Sequence, residues 1–75
     1  MPHLPSLTAK DVVQALKRAG FVKNRQKGSH LVLVHPQSGT RTVIPMHAGK
    51  TIKKPLLYAI ITEAKLSVDA FLNLL

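Results

Sequence analysis

The stretch NRQKGSHLVLVHP, residues 24–36, indicates how the chain folds, because a polar run changes into a run of Leu and Val at a single histidine, His30. The Lys-Gly-Ser step before the histidine is typical of a tight turn, and the apolar run after it is typical of a buried strand. Further strands are predicted on either side, so the candidates are 21–27, 30–35 and 41–46. Because the links between them are short, antiparallel pairing of neighbours is the expected topology.

The order of the strands within the sheet follows from their composition. The middle strand is the richest in Leu and Val, whereas the first alternates charged side chains. The third contains Pro45, and a proline is tolerated mainly at a sheet edge because it lacks an N–H group. We therefore expect the middle strand at the centre of the sheet and the other two at its edges.

Helices are predicted on both sides of these strands. Thr8 is a suitable N-cap and Gly20 a suitable left-handed end for a helix over 9–19. Pro55 fits the first turn of a second helix, and Ser67 fits the N-cap of a short third one. The residues expected to face the core are Ala9, Val12, Val13, Leu16 and Ala19, then Leu56, Leu57, Ile60, Ile61 and Ala64, then Val68, Phe71, Leu72 and Leu75.

This order of elements predicts an α+β fold, αβββα with a short extra C-terminal helix. A three-stranded antiparallel sheet packed on one face by helices resembles the double-stranded-RNA-binding-domain architecture. No repeat or linker interrupts the pattern, so we expect one domain over 1–75.

The chain is strongly basic, with 11 Lys and Arg against 3 Asp and Glu and a net charge of +8. So large an excess repels itself unless an anionic partner offsets it. Nucleic acid is the favoured class of partner, and a basic structural subunit, as in a ribosomal protein, is the alternative.

The composition also limits the other classes of function. No cysteine is present, which excludes disulfides and thiolate chemistry and favours the reducing cytoplasm. The opening residues MPHLPSLT lack the features of a signal peptide, and the longest apolar run, PLLYAII, is far shorter than the about 20 residues that cross a bilayer. With only 3 carboxylates and no histidine pair at ligand spacing, we expect no metal site, and no cofactor is indicated.

Three segments together carry a family resemblance: TAKDVVQALKRAGFVKNRQKGSH, HPQSGTRTVIPMH and KKPLLYAIITEAKLS. Each motif is short, but their order and spacing resemble the HicA toxin family from Thr8 to Leu75. The resemblance implies a toxin that cleaves mRNA without a metal, and a HicB-like antitoxin that masks its site. It also implies an essential histidine in the GSH motif, which is His30 in this chain.

The chain departs from the family pattern at two places. Pro55 and Leu56 stand where members tend to have Gly-Thr or a similar pair, so a hydroxyl is missing at this helix start. Lys65 stands where many members have a glycine between Ala and Leu. A lysine forced into the left-handed conformation there costs up to about 1–2 kcal/mol.

Basic residues in two groups are the candidate RNA contacts. Those in the first group lie two residues apart, so on an extended strand they are expected to project from one face as a row for phosphates. Those in the second group precede the second helix, whose free N–H groups also suit a phosphate. With the serine of the GSH motif, the candidates are Lys23, Arg25, Lys27, Ser29, Lys50, Lys53 and Lys54. Protection of an edge strand from aggregation is the alternative interpretation of the first group.

Two histidines are the candidate catalytic groups. RNA carries its own nucleophile, the 2′-hydroxyl, so cleavage needs a base, an acid and positive charge near the phosphorus. A hairpin loop at 36–39 pairs His30 with Pro45 and puts His47 diagonally across the sheet, about 7–8 Å away at the backbone. A two-residue loop puts the two histidines directly opposite each other, and an odd loop length puts them on opposite faces. We hypothesise that His30 is the principal base and His47 a secondary acid or phosphate ligand. His35, beside the turn and on the other face, is expected to be solvated.

A non-catalytic RNA-binding module of the same fold is the alternative function. A strand histidine often has only a structural role, which would fit this alternative. The aromatic residues, Phe21, Tyr58 and Phe71, fit packing positions or helix faces, so a base-stacking platform is disfavoured.

Overall fold

The computed structural model describes residues 3–75, which form an α+β fold. The first two residues, part of the segment in which no signal peptide is expected, lie outside the described residues. The elements are α1 (Ala9–Arg18), β1 (Val22–Lys27), β2 (His30–Val34), β3 (Arg41–Pro45), α2 (Lys54–Glu63) and α3 (Val68–Leu72). The antiparallel sheet has the order β1-β2-β3, so the predicted fold class and the central position of the middle strand are confirmed.

The two faces of the sheet differ in what covers them. Leu31 and Leu33 of β2 and Thr42 and Ile44 of β3 are buried beneath the helices. The helices α1 and α2 contact β3, and α3 packs against α2. The alternate residues of each strand point the other way and are exposed or half-buried, so this second face of the sheet is open.

Capping interactions delimit α1 as the sequence predicts. Thr8 Oγ1 accepts a hydrogen bond from the Asp11 N–H at 3.3 Å, and Asp11 Oδ2 accepts one from the Thr8 N–H at 3.0 Å. Hydrogen bonding to the carboxyl, first from the Thr8 N–H and then from the Thr8 side chain, lowers the pKa of Asp11. At the other end, Gly20 takes a left-handed φ of 103°, and the Phe21 N–H donates to the Leu16 carbonyl at 3.0 Å.

The buried stripe of α2 is confirmed except at one residue. Leu57, Ile60 and Ile61 are buried as expected, but Leu56 is 42% exposed. The expectation for Leu56 is wrong because its side chain lines an open cleft at the start of the helix instead of entering the core.

The short helix α3 adds one large side chain to the core. Ser67 Oγ caps it by accepting from the Ala70 N–H at 3.0 Å, as predicted, and Phe71 is 0% exposed. Leu75, expected on the same apolar face, is 46% exposed because the helix ends at Leu72.

Replacing Lys65 with glycine is expected to raise the free energy of unfolding by about 1 kcal/mol. Lys65 has a φ of 63°, and its N–H donates to the Thr62 carbonyl at 3.0 Å in the turn that ends α2. Glycine removes the Cβ strain and keeps this hydrogen bond. Urea unfolding of both proteins measures the difference. The matched variant Lys17→Gly, inside α1, should instead lower the free energy of unfolding by about 1 kcal/mol. A loss of stability in Lys65→Gly would contradict the assigned strain.

Candidate functional site

His30 lies in a row of side chains at one end of the sheet, where β1 ends, β2 begins and β3 ends. It is paired directly with Lys27 on one side and with Pro45 on the other. Directly paired residues project from the same face, and the next residue, Leu31, points into the core. His30 is therefore exposed on the open face of the sheet.

The hairpin between β2 and β3 has the loop length that the predicted register requires. The His35 N–H donates to the Thr40 carbonyl at 2.8 Å, which leaves 36–39 as the loop. The predicted pairing of His30 with Pro45 is confirmed.

Ser29 occupies the turn between β1 and β2, immediately before His30. Its carbonyl accepts a hydrogen bond from the Met46 N–H at 2.6 Å, and the Gln26 side chain donates to the Gly28 carbonyl at 3.2 Å. Both bonds hold the turn against the strand ends, so the backbone that carries His30 is tied to the end of β3.

His47 follows the end of β3 by two residues and is exposed. Its carbonyl accepts from the Lys50 N–H at 3.2 Å, which closes the turn that leads to α2. The paired register ends at Pro45, two residues before His47, so the diagonal position of His47 stays a prediction.

The predicted row of Lys23, Arg25 and Lys27 on one face is wrong. Arg25 pairs with Val32 and Lys27 with His30, so both project from the open face. Lys23 instead pairs with Leu33, whose side chain points into the core, so Lys23 projects toward the helix side of the edge. The reason is a bulge between Lys23 and Arg25, because an extra residue in one strand interrupts the alternation of its side chains.

The second basic group surrounds the start of α2. Lys53 is the N-cap residue and makes no side-chain capping bond, Lys54 is the first helical residue, and Pro55 follows. All three lysines of the group, Lys50 included, are exposed. Positive side chains at the positive end of a helix dipole are unfavourable unless an anion is bound nearby.

Two clefts flank His47, and the sequence did not reveal either of them. One lies against the start of α1 and is lined by Thr8, Ala9 and Met46 among others. The second lies between the end of β3 and the start of α2, with Pro45 and Leu56 in its walls. An apolar residue at a helix start, preceded by Lys53 and Lys54, was the available signal for the second cleft, but the helical period assigned Leu56 to the core.

The sequence matches the family of HicA toxins of bacterial toxin–antitoxin systems over residues 9–66. The chain belongs to the HicA toxin family. The matched range runs from the start of α1 to the end of α2 and so includes the His30 row, while α3 follows it. A search of the curated proteins found no match.

Membership in the HicA family assigns this chain a general role and a type of partner. It is a toxin of a toxin–antitoxin system, from a family of toxin nucleases, and an antitoxin is its partner. Within residues 3–75, no helix is long and apolar enough to cross a membrane. The same residues bring together no group of three or more His, Cys, Asp or Glu side chains that would suit a metal ion.

His35 of this HicA toxin is not solvated as expected. Its ring packs edge-to-face on Phe21, with centroids 5.3 Å apart and planes at 88°, and its buried Nδ1 has no hydrogen-bond partner. The sequence places His35 on the other face from His30, and that placement agrees with its packing on Phe21; only the expected solvation is wrong, because Phe21 covers the ring. It therefore has a packing role.

Replacing Gly20 with alanine is expected to lower the free energy of unfolding by about 2–3 kcal/mol. Besides the strain at its positive φ, an added Cβ would lie 2.8 Å from His35 Nε2, and that ring is held against Phe21. Urea unfolding measures the loss. The matched variant is Gly39→Ala, which has a φ of 73° and no atom within 4 Å of the added Cβ, and should lose only about 1 kcal/mol. Equal losses in the two variants would show that His35 is not a steric constraint.

Proposed function

We propose that this HicA toxin is an endoribonuclease that cleaves mRNA by metal-independent acid–base chemistry, with His30 as the principal base. The observation that carries the proposal is the direct pairing of exposed His30 with Lys27 on the open sheet face. A phosphodiester can approach this face without displacing any core residue. The imidazole would meet the 2′-hydroxyl while the ammonium group of Lys27 lies beside the phosphate.

The proposed reaction needs two proton transfers and no outside nucleophile. His30 removes the proton from the 2′-hydroxyl, and the resulting oxygen forms a bond to phosphorus. The bond from phosphorus to the 5′-oxygen breaks, and that oxygen takes up a proton from the acid, for which His47 is the candidate. The products are a 2′,3′-cyclic phosphate and a free 5′-hydroxyl.

Phosphate contacts are proposed for the basic residues that share this end of the molecule. Arg25 and Lys27 flank the open face, and the lysines Lys50, Lys53 and Lys54 surround the unsatisfied N–H groups of α2. Ser29 is a further contact in the turn before His30. Lys23 projects to the other side of the bulge, so its contribution to RNA binding is expected to be smaller. On single-stranded RNA, each neutralised phosphate should contribute about −0.7 to the slope of the logarithm of the binding constant against the logarithm of the salt concentration.

A HicB-like antitoxin is proposed to neutralise the toxin by covering His30. The open face next to the His30 row carries exposed Val22 and Val43 and half-buried Val32 and Val34, which suit a protein partner better than a phosphate backbone. The net charge of +8 favours an acidic partner surface. Because mRNA is the substrate, the proposed compartment is the cytoplasm.

The first test is incubation of the purified protein with a mixed mRNA in EDTA. Fragments with 2′,3′-cyclic phosphate or 3′-phosphate ends are expected, because water is not the nucleophile. Fragments with 3′-hydroxyl ends, or cleavage that requires an added metal, would overturn the proposed chemistry. Intact RNA with salt-dependent binding would instead favour the RNA-binding module.

A further inference from the structure

The cleft between the end of β3 and the start of α2 has the chemistry of a nucleotide site. Its volume is about 340 Å³, and its apolar walls come from Pro45, Ile52 and Leu56. Lys50 and Lys53 lie at the same opening. Ligand sites typically combine such apolar walls with a few polar groups. An apolar slot beside two cations suits a flat ring attached to an anion, which is the chemistry of a nucleobase and its phosphate.

The cleft adjoins the His30 row, which consists of Lys27, His30 and Pro45, through a shared residue. Pro45 lines the cleft and is also the direct partner of His30. The Cβ atoms of residues paired in this way lie about 4.5–5.5 Å apart. The rise along a nucleic-acid helix is about 3.4 Å per nucleotide of one strand. A base next to a phosphate at His30 therefore lies within reach of this cleft.

Leu56 is placed where it could contact a ligand in this cleft. The helical period of α2 would allow Leu56 to join the core, yet its side chain is 42% exposed and lines the cleft. Sequence-specific recognition of RNA uses unstacked bases, and an extruded base is held between aromatic or apolar side chains. Leu56 and Ile52 provide such contacts from two segments of the chain.

We propose that this cleft binds the base of the RNA nucleotide next to the cleaved phosphodiester, with Leu56 as a residue that determines which base is accepted. The proposal rests on the proposed function, because it takes RNA as the substrate. Lys50 and Lys53 hold the adjoining phosphates, and the apolar walls contact the ring. RNA is cleaved more often next to a base that fills the cleft than next to a base that leaves part of the cleft empty.

The test is methyl NMR of full-length protein carrying His30→Ala, titrated with a short single-stranded RNA. Ring-current shifts are expected at the Leu56 and Ile52 methyl groups, and they should vanish with an abasic oligonucleotide of the same length. Leu56→Ser should weaken binding of the normal oligonucleotide about tenfold and leave the abasic one unchanged. The matched control is Tyr58→Ala, also exposed on α2 but outside the cleft lining, which should bind like the parent.

The outcomes separate this proposal from the proposed ribonuclease activity. RNA that binds without moving the Leu56 and Ile52 methyl signals would overturn the base site, as would the absence of any RNA binding. Cleavage by the protein with native His30 is scored independently in EDTA. Methyl shifts without cleavage would leave a base-binding cleft in an RNA-binding module and overturn the ribonuclease. An acidic antitoxin peptide that moves these signals when RNA does not would overturn the base site and reassign the cleft to a protein partner.

Discussion

Replacing His30 with alanine is expected to slow RNA cleavage by about 10²- to 10⁴-fold, the contribution that a positioned general base makes. The side chain is exposed on the open face of the sheet, so its removal leaves no cavity in the core. Single-turnover cleavage of a defined RNA in EDTA measures the rate. Binding of the same RNA should change little, because the phosphate contacts are assigned to lysine and arginine side chains.

Two further histidine variants make the His30 result specific. His3→Ala, at an exposed residue before α1, should cleave at the unmodified rate. His47→Ala should slow cleavage by less than His30→Ala, because its proposed role as acid or phosphate ligand is secondary. If His30→Ala retains the full rate while the RNA ends remain cyclic, the principal base is another residue and the proposed mechanism fails.

Replacing Phe71 with alanine is expected to lower the free energy of unfolding by about 3–5 kcal/mol. Phe71 is 0% exposed and anchors α3, which packs against α2. A domain of this size has a total stability of roughly 3–5 kcal/mol, so most molecules of the variant should be unfolded at 25 °C. Far-UV circular dichroism at 25 °C and a thermal scan measure the loss.

Two control variants test whether the loss of stability comes from the buried volume of Phe71. Leu75→Ala, at a residue that is 46% exposed, should change stability by no more than about 0.5 kcal/mol. Phe71→Leu keeps most of the apolar volume and should remain folded. If Phe71→Ala unfolds at the same urea concentration as the parent, the residues beyond the family match at 9–66 do not stabilise the fold.

The loop between β2 and β3 was the most predictable feature of the candidate site. Pro36 and Gly39 mark its ends in the sequence, and a four-residue loop leaves a single register for the flanking strands. The pairing of His30 with Pro45 follows from that register by counting. The sequence left a two-residue and an odd-length loop open as well, and the hydrogen bond from the His35 N–H to the Thr40 carbonyl selects the four-residue loop.

The strand β1 was less predictable because bulges depend on the partner strand. The spacing of its basic residues implied a uniform alternation, and the bulge between Lys23 and Arg25 breaks it. An exposed edge strand with polar side chains carries no apolar pattern that would reveal an inserted residue. As a result, Lys23 projects to the other side of the sheet from Lys27.

The amino-acid sequence alone determined the α+β class, the ends of α1 and the strand order, whereas the pairing of exposed His30 with Lys27 came from the structure. The features that the sequence determined depend on periodicity, capping residues and loop length, which act between near neighbours in the chain. Only the tertiary structure decided that Leu56 faces a cleft and that His35 packs on Phe21. Those outcomes depend on how elements that are distant in the chain pack together. The cleft is formed jointly by α2 and the end of β3. No local sequence pattern specifies where the start of a helix lies relative to the end of a sheet.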